Sequence, residues 1–175
     1  AESCDACLCA GDVVDYGCEA AEVVEWVKQN ATATVRGNHD HAVAQKVRPR
    51  GGDGLRELAF MTRPKHWEWL NEEQLTWLSR LPSSRMIELD GKKFYLIHGT
   101  PRDPLEEYLG SKKEAWLQRL KNIDADFVCV GHTHQPFVLD LGNGTTVVNS
   151  GSVGQPRNFD PRAAYAIYAD GAVTL

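Results

Sequence analysis

Four short apolar or β-branched runs, ACLCA at 6–10, TATVR at 32–36, FYLI at 94–97 and FVCV at 127–130, each end in a turn that places glycine beside a polar side chain. Runs this short read as strands, and the first is followed by Ala20, Val23, Val24 and Val27 at helical spacing. Strand, helix and strand in succession predict a layered α/β arrangement, since each sheet face must be covered by another element. A helical region runs on to about Leu81, with Asn71 and Gln74 spaced as a capped helix start and Leu75, Trp77 and Leu78 as its apolar face. This region is expected to reach over the site as a lid, with Trp67, Trp69 and Trp77 packed inside it.

From Arg85 the pattern changes to hairpins. Asp90-Gly91, Gly142-Asn143-Gly144 and Asp170-Gly171 are tight-turn signals between alternating runs, with a predicted helix at 112–121 and a strand at 126–131. The 175 residues suffice for one core, so a single domain spanning 1–175 is expected. RPRGGDG at 48–54 reads as an exposed loop.

A net charge of −5 with interspersed Lys and Arg supplies no basic stripe for a phosphate backbone, so no stable nucleic-acid partner is expected. The apolar runs fall well short of the roughly 18 residues of a membrane span, which predicts a cytoplasmic protein with no membrane partner. Oligomeric state is left open. Five cysteines are an odd number, and Cys4-x-x-Cys7 has no second pair to complete a zinc site, so the thiols read as structural.

The polar residues all follow strand ends. Asp12 follows ACLCAG, Asn38 and His39 follow TATVRG, His98 follows FYLI, and His132 and His134 follow FVCVG. Ligand sites in α/β sheets form at the carboxyl ends of strands, where glycines 11, 37, 99 and 131 allow the chain to turn. One histidine in a turn is ordinarily structural. Four of the six histidines behind such strands, joined by a carboxylate and an amide, point to a metal site.

The strings GDVVDYG (11–17), GNHD (37–40), HGTP (98–101), GHTHQP (131–136) and NSGSVGQPR (149–157), in this order, resemble the calcineurin-like metallophosphoesterases, in particular the small bacterial phosphodiesterases. The resemblance implies an αββα sandwich of two mixed sheets flanked by helices. It implies two divalent metal ions, with Asp12 bridging, Asn38, His98 and His132 on the second ion and His134 on the first. Imidazole and carboxylate ligands without thiolate suit Mn, Fe, Ni or Zn. The implied reaction is attack of a metal-bound hydroxide on phosphorus in a small phosphorylated or nucleotide-derived substrate. His39 would be the general acid and Asp40 the carboxylate that orients it. Arg157 would bind a substrate phosphate oxygen through its fork of donors. Asp15 and Tyr16 read as loop-shaping residues.

The chain departs from the family pattern in one respect: it contains no Asp-x-His. It is therefore expected to be incomplete at both ends, with the N-terminal strand and helix missing, and to hold the second ion better than the first. Phosphodiester hydrolysis is the leading functional expectation. A phosphomonoesterase, protein phosphatase or dinucleoside-polyphosphate hydrolase would share the same machinery. A catalytically weak fragment or an interaction scaffold resembling a retromer subunit is the alternative from another class, against which His39 argues.

Overall fold

The computed structural model describes residues 4–175, which form two compact units, one running to Pro82 and one from Ser83 to Leu175.

In the first unit, β1 (Leu8–Cys9) pairs in parallel with β2 (Ala33–Thr34), joined by α1 (Ala20–Asn30). Three further helices follow: α2 (Asn38–Ala44), α3 (Leu55–Trp69) and α4 (Glu72–Arg80). The predicted capping box at α4 is present. Asn71 Oδ1 accepts from the Gln74 N–H at 2.9 Å while Gln74 Oε1 accepts from the Asn71 N–H at 3.1 Å. Val14, Ala20, Val24, Val43, Leu70, Leu78 and Leu81 form the core, with Trp67 and Trp77 packed against it. Trp69 departs from expectation and is exposed, since the α3 face it occupies points away from that cluster.

The second unit is built on a five-stranded mixed sheet. β3 (Ser84–Leu89) and β4 (Lys92–Ile97) form the predicted hairpin at Asp90-Gly91. β5 (Phe127–Val130), β6 (Phe137–Asp140) and β7 (Thr146–Asn149) complete the order β3-β4-β5-β7-β6, in which β4, β5 and β7 run parallel. Side-chain alternation separates the two faces. On one face Val128, Val130, Ile97 and Val147 pack with Trp116 and Leu120 of the segment around α5 (Lys113–Arg119). On the other, Phe94 and Phe127 stack at 5.0 Å between centroids, and Tyr168 packs edge-on against both. Tyr168 belongs to the hairpin β8 (Ile167–Ala169) and β9 (Ala172–Thr174), so helix, sheet and hairpin form three layers. No helix among the described residues is long and apolar enough to cross a membrane.

Candidate active site

Parallel pairing places the carboxyl ends of neighbouring strands side by side, and both units use this. In the first unit β1 and β2 deliver Gly11-Asp12 and Gly37-Asn38 to adjacent positions. The two turns nearly touch. A Cβ on Gly37 would lie 2.0 Å from Asp12 Oδ1, and one on Gly11 would lie 2.5 Å from the Gly37 nitrogen, so both crossings require glycine.

Asp40 locks this crossing. Its fully buried carboxylate accepts backbone N–H bonds from Asp12, Val13 and Gly37, each at 2.8 Å. The turn holding Asp12 is thereby stapled to the turn holding Asn38, and the His39 N–H donates to Asp12 Oδ1 at 2.9 Å, orienting that carboxylate.

The orienting role expected of Asp40 falls instead to Asp15. His39 Nδ1 lies 2.7 Å from Asp15 Oδ2, and Arg63 Nε and Nη2 donate to the same oxygen at 2.9 and 2.6 Å. Asp40 is committed to the two turns because a carboxylate at the third position of α2 reaches back to the backbone N–H groups before it. Burial pushes the Asp15 carboxyl up, but hydrogen bonds from His39 and Arg63 outweigh it and hold the group below its ordinary value. Asp15 is therefore ionised, so His39 carries its proton on Nδ1 and presents Nε2, which lies 3.1 Å from the Tyr16 hydroxyl.

α3 clamps the same loop a second time. The Asp15 N–H donates to His66 Nδ1 at 3.2 Å, and His66 Nε2–H donates to the Gly17 carbonyl at 2.8 Å. Burial lowers the His66 pKa, in keeping with a neutral ring whose two nitrogens have opposite roles. The helical stretch read as a lid thus supplies two buried polar anchors, Arg63 and His66, one helical turn apart on one face.

In the second unit β4 and β5 end at His98 and His132, and His98 Nε2 faces His132 Nδ1 at 3.1 Å, both side chains buried. Two nitrogens bound to one ion at about 2.0–2.1 Å, roughly 90–110° apart, would stand about 2.9–3.4 Å from each other. The pair therefore fits as two ligands of a single cation. His134 Nδ1–H donates to the Gln155 carbonyl at 2.6 Å, which fixes the orientation of the ring. The next parallel strand, β7, ends at the fully buried Asn149, whose side-chain N–H groups donate to the Gly131 carbonyl and Thr133 Oγ1 and so brace the turn that bears both histidines.

Backbone strain collects in these turns. Among the described residues nine non-glycine positions have positive φ, and five are Asp12 (56°), Asp15 (81°), Tyr16 (61°), His132 (62°) and His134 (56°). Each such conformation costs about 1–3 kcal/mol and persists where surrounding contacts enforce it.

Arg157 is held by Gln155 Oε1, which accepts from Nε at 3.2 Å and Nη2 at 2.7 Å, and by the Tyr108 hydroxyl at 3.1 Å from Nη1. The Tyr108 ring lies against His132 with centroids 4.0 Å apart. The thiols stand apart from this chemistry: burial pushes Cys9 and Cys129 up to about 12, which keeps them protonated.

Sequence reading did not foresee Asp15, Arg63, His66, Asn149 and Tyr108 as parts of the site. Asp15 and Asn149 lie inside the quoted motifs, and the i, i+3 spacing of Arg63 and His66 marked a shared helix face. Nothing in the local sequence around Tyr108 marked it.

Comparison with known proteins agrees with this picture. The chain is 31% identical to an uncharacterized protein of Methanocaldococcus jannaschii, over 92% of this chain and 70% of that protein. A probable metallophosphoesterase of Methanothermobacter thermautotrophicus is 36% identical over 46% of this chain and 42% of its own length. The crystal structure of a metallophosphoesterase from Sphaerobacter thermophilus superposes with a TM-score of 0.73 at 31% identity, covering 94% of this chain and 72% of that one. A hypothetical protein from Pyrococcus horikoshii shares the fold, with a TM-score of 0.75 at 19% identity over 95% and 71% of the two chains. The family model for the calcineurin-like phosphoesterase superfamily domain matches residues 1–170, and the chain belongs to that family of metal-dependent phosphoesterases.

Proposed function

We propose that this protein hydrolyses phosphodiesters of small or nucleotide-derived substrates with the help of two divalent metal ions. Asp12, Asn38, His98 Nε2, His132 Nδ1 and His134 Nε2 would hold the ions. When bound, such ions polarise phosphoryl oxygens and make water nucleophilic near neutral pH. The observation that carries the reading is the 3.1 Å approach of the His98 and His132 nitrogens at the ends of two parallel strands.

The remaining chemistry belongs to side chains of this chain. Asp15 holds Nδ1–H of His39 and so orients the ring, and Nε2 is the atom that gives a proton to the departing alkoxide. Arg63 keeps Asp15 ionised and fixed. Arg157 takes a phosphoryl oxygen, since a guanidinium matches that geometry with two parallel donors.

The test is hydrolysis of bis-(p-nitrophenyl) phosphate and p-nitrophenyl phosphate in Mn²⁺ by wild type and His39→Ala. The diester is expected to be the better substrate, and the variant to lose about 10²–10⁴ in rate. Unchanged activity in His39→Ala would overturn the mechanism, and a preference for the monoester would reassign the substrate class.

A further inference from the structure

Tyr108 is 60% exposed, yet both its ring and its hydroxyl are held by neighbours. One side lies against His132, with centroids 4.0 Å apart and planes tilted by 42°. Its hydroxyl is bonded to Arg157 Nη1 at 3.1 Å. The loop beneath is tied to itself: Gly99 N–H donates to the Pro104 carbonyl at 2.8 Å, and the Asp103 carboxylate accepts from the N–H groups of Leu105 and Glu106 at 3.1 and 3.0 Å. The neighbouring Glu107 carboxylate is gripped by Arg119 at 2.8 Å and also bonds Thr100 and Arg102. An aromatic ring held open to solvent on a rigid loop has already lost the motional freedom that binding would otherwise remove.

Arg157 beside it is equally prepared. Of the five N–H donors of a guanidinium, Nε, one on Nη1 and one on Nη2 are engaged, which leaves two. These partners are a neutral amide and a neutral hydroxyl, and among the described residues no carboxylate pairs with it, so its charge is available to an anion.

We propose that Tyr108 is a stacking platform for a planar group of the substrate while Arg157 takes an oxygen of the adjoining phosphate. The favoured esters are then those of nucleosides or other aromatic alcohols rather than those of aliphatic alcohols. This rests on the phosphoesterase reading and adds the substrate class to it.

The experiment is calorimetric titration of wild type, Tyr108→Phe and Tyr108→Leu with AMP, ribose 5-phosphate and phenyl phosphate, in Mn²⁺ and without it, beside the bis-(p-nitrophenyl) phosphate assay. Base–aromatic stacking predicts AMP binding about 5- to 100-fold tighter than ribose 5-phosphate. That advantage is expected to survive in Tyr108→Phe and to vanish in Tyr108→Leu. Phenyl phosphate matching AMP would assign any aromatic ester, and phenyl phosphate matching ribose 5-phosphate would assign nucleobases. Equal affinities for AMP and ribose 5-phosphate in wild type, or an AMP advantage undiminished in Tyr108→Leu, would overturn the proposal even where the diester is hydrolysed. A Tyr108-dependent AMP advantage without any hydrolysis would uphold the platform and remove the enzymatic reading alone.

Discussion

Replacing Asp40 by Asn should destabilise the first unit by about 3.5–6 kcal/mol, although the side chain keeps its shape. The carboxylate accepts three backbone N–H bonds at 2.8 Å, two on Oδ2 from Asp12 and Gly37 and one on Oδ1 from Val13. Hydrogen bonds to a charged acceptor contribute about 1.5–3 kcal/mol each, and neutral ones about 0.5–1.5. An amide oxygen placed at Oδ2 keeps two bonds at the neutral strength. Its NH₂ then faces the Val13 N–H, donor against donor, so the third bond is lost outright. Asp40→Ala removes all three acceptors, but water can reach the half-buried Asp12 and Val13, which holds the loss to about 4–6 kcal/mol. These values approach the roughly 5–15 kcal/mol that holds a whole domain folded. Urea denaturation followed by tryptophan fluorescence, in EDTA so that metal contributes nothing, measures the shift in midpoint at unchanged slope. A loss below about 1 kcal/mol in Asp40→Asn would show that the crossing of the two turns does not depend on this carboxylate.

Asp15→Asn should leave Arg63 without its anion and give His39 a neutral acceptor in place of a charged one, and should reduce kcat for the diester by at least about 10-fold with KM little changed, read from steady-state kinetics in Mn²⁺. Because burial depresses the His66 pKa, its contribution to stability is complete above about pH 6.5 and is lost as pH falls toward its folded-state pKa. Denaturation at pH 7.5 and 5.5 should therefore show a larger drop for wild type than for His66→Gln. Gly37→Ala places a methyl group 2.0 Å from Asp12 Oδ1 and should weaken Mn²⁺ binding by at least about 10-fold, the scale of a displaced ligand, measured by calorimetry.

Much of the site was legible along the chain. Strand runs ending in Gly-Asp, Gly-Asn-His, His-Gly and Gly-His-Thr-His mark the proposed donors, because local backbone geometry sets both a strand and the turn that ends it. The hairpins at Asp90-Gly91 and Asp170-Gly171 and the capping box at Asn71 were legible for the same reason: each depends on residues within a few positions of one another. The partners of those donors were not. Asp15 lies 24 residues from His39, and Arg63 a further 24 beyond, while Asp40 and Asp15 are both carboxylates near His39 with equal claims on paper. Parallel pairing of β1 with β2 and of β4 with β5 set which groups lie side by side, and the packing of α3 chose Asp15 over Asp40 as the anchor of His39. Residue types and turns follow from short-range sterics and hydrogen bonding, whereas the pairing of charges depends on which elements the core brings into contact.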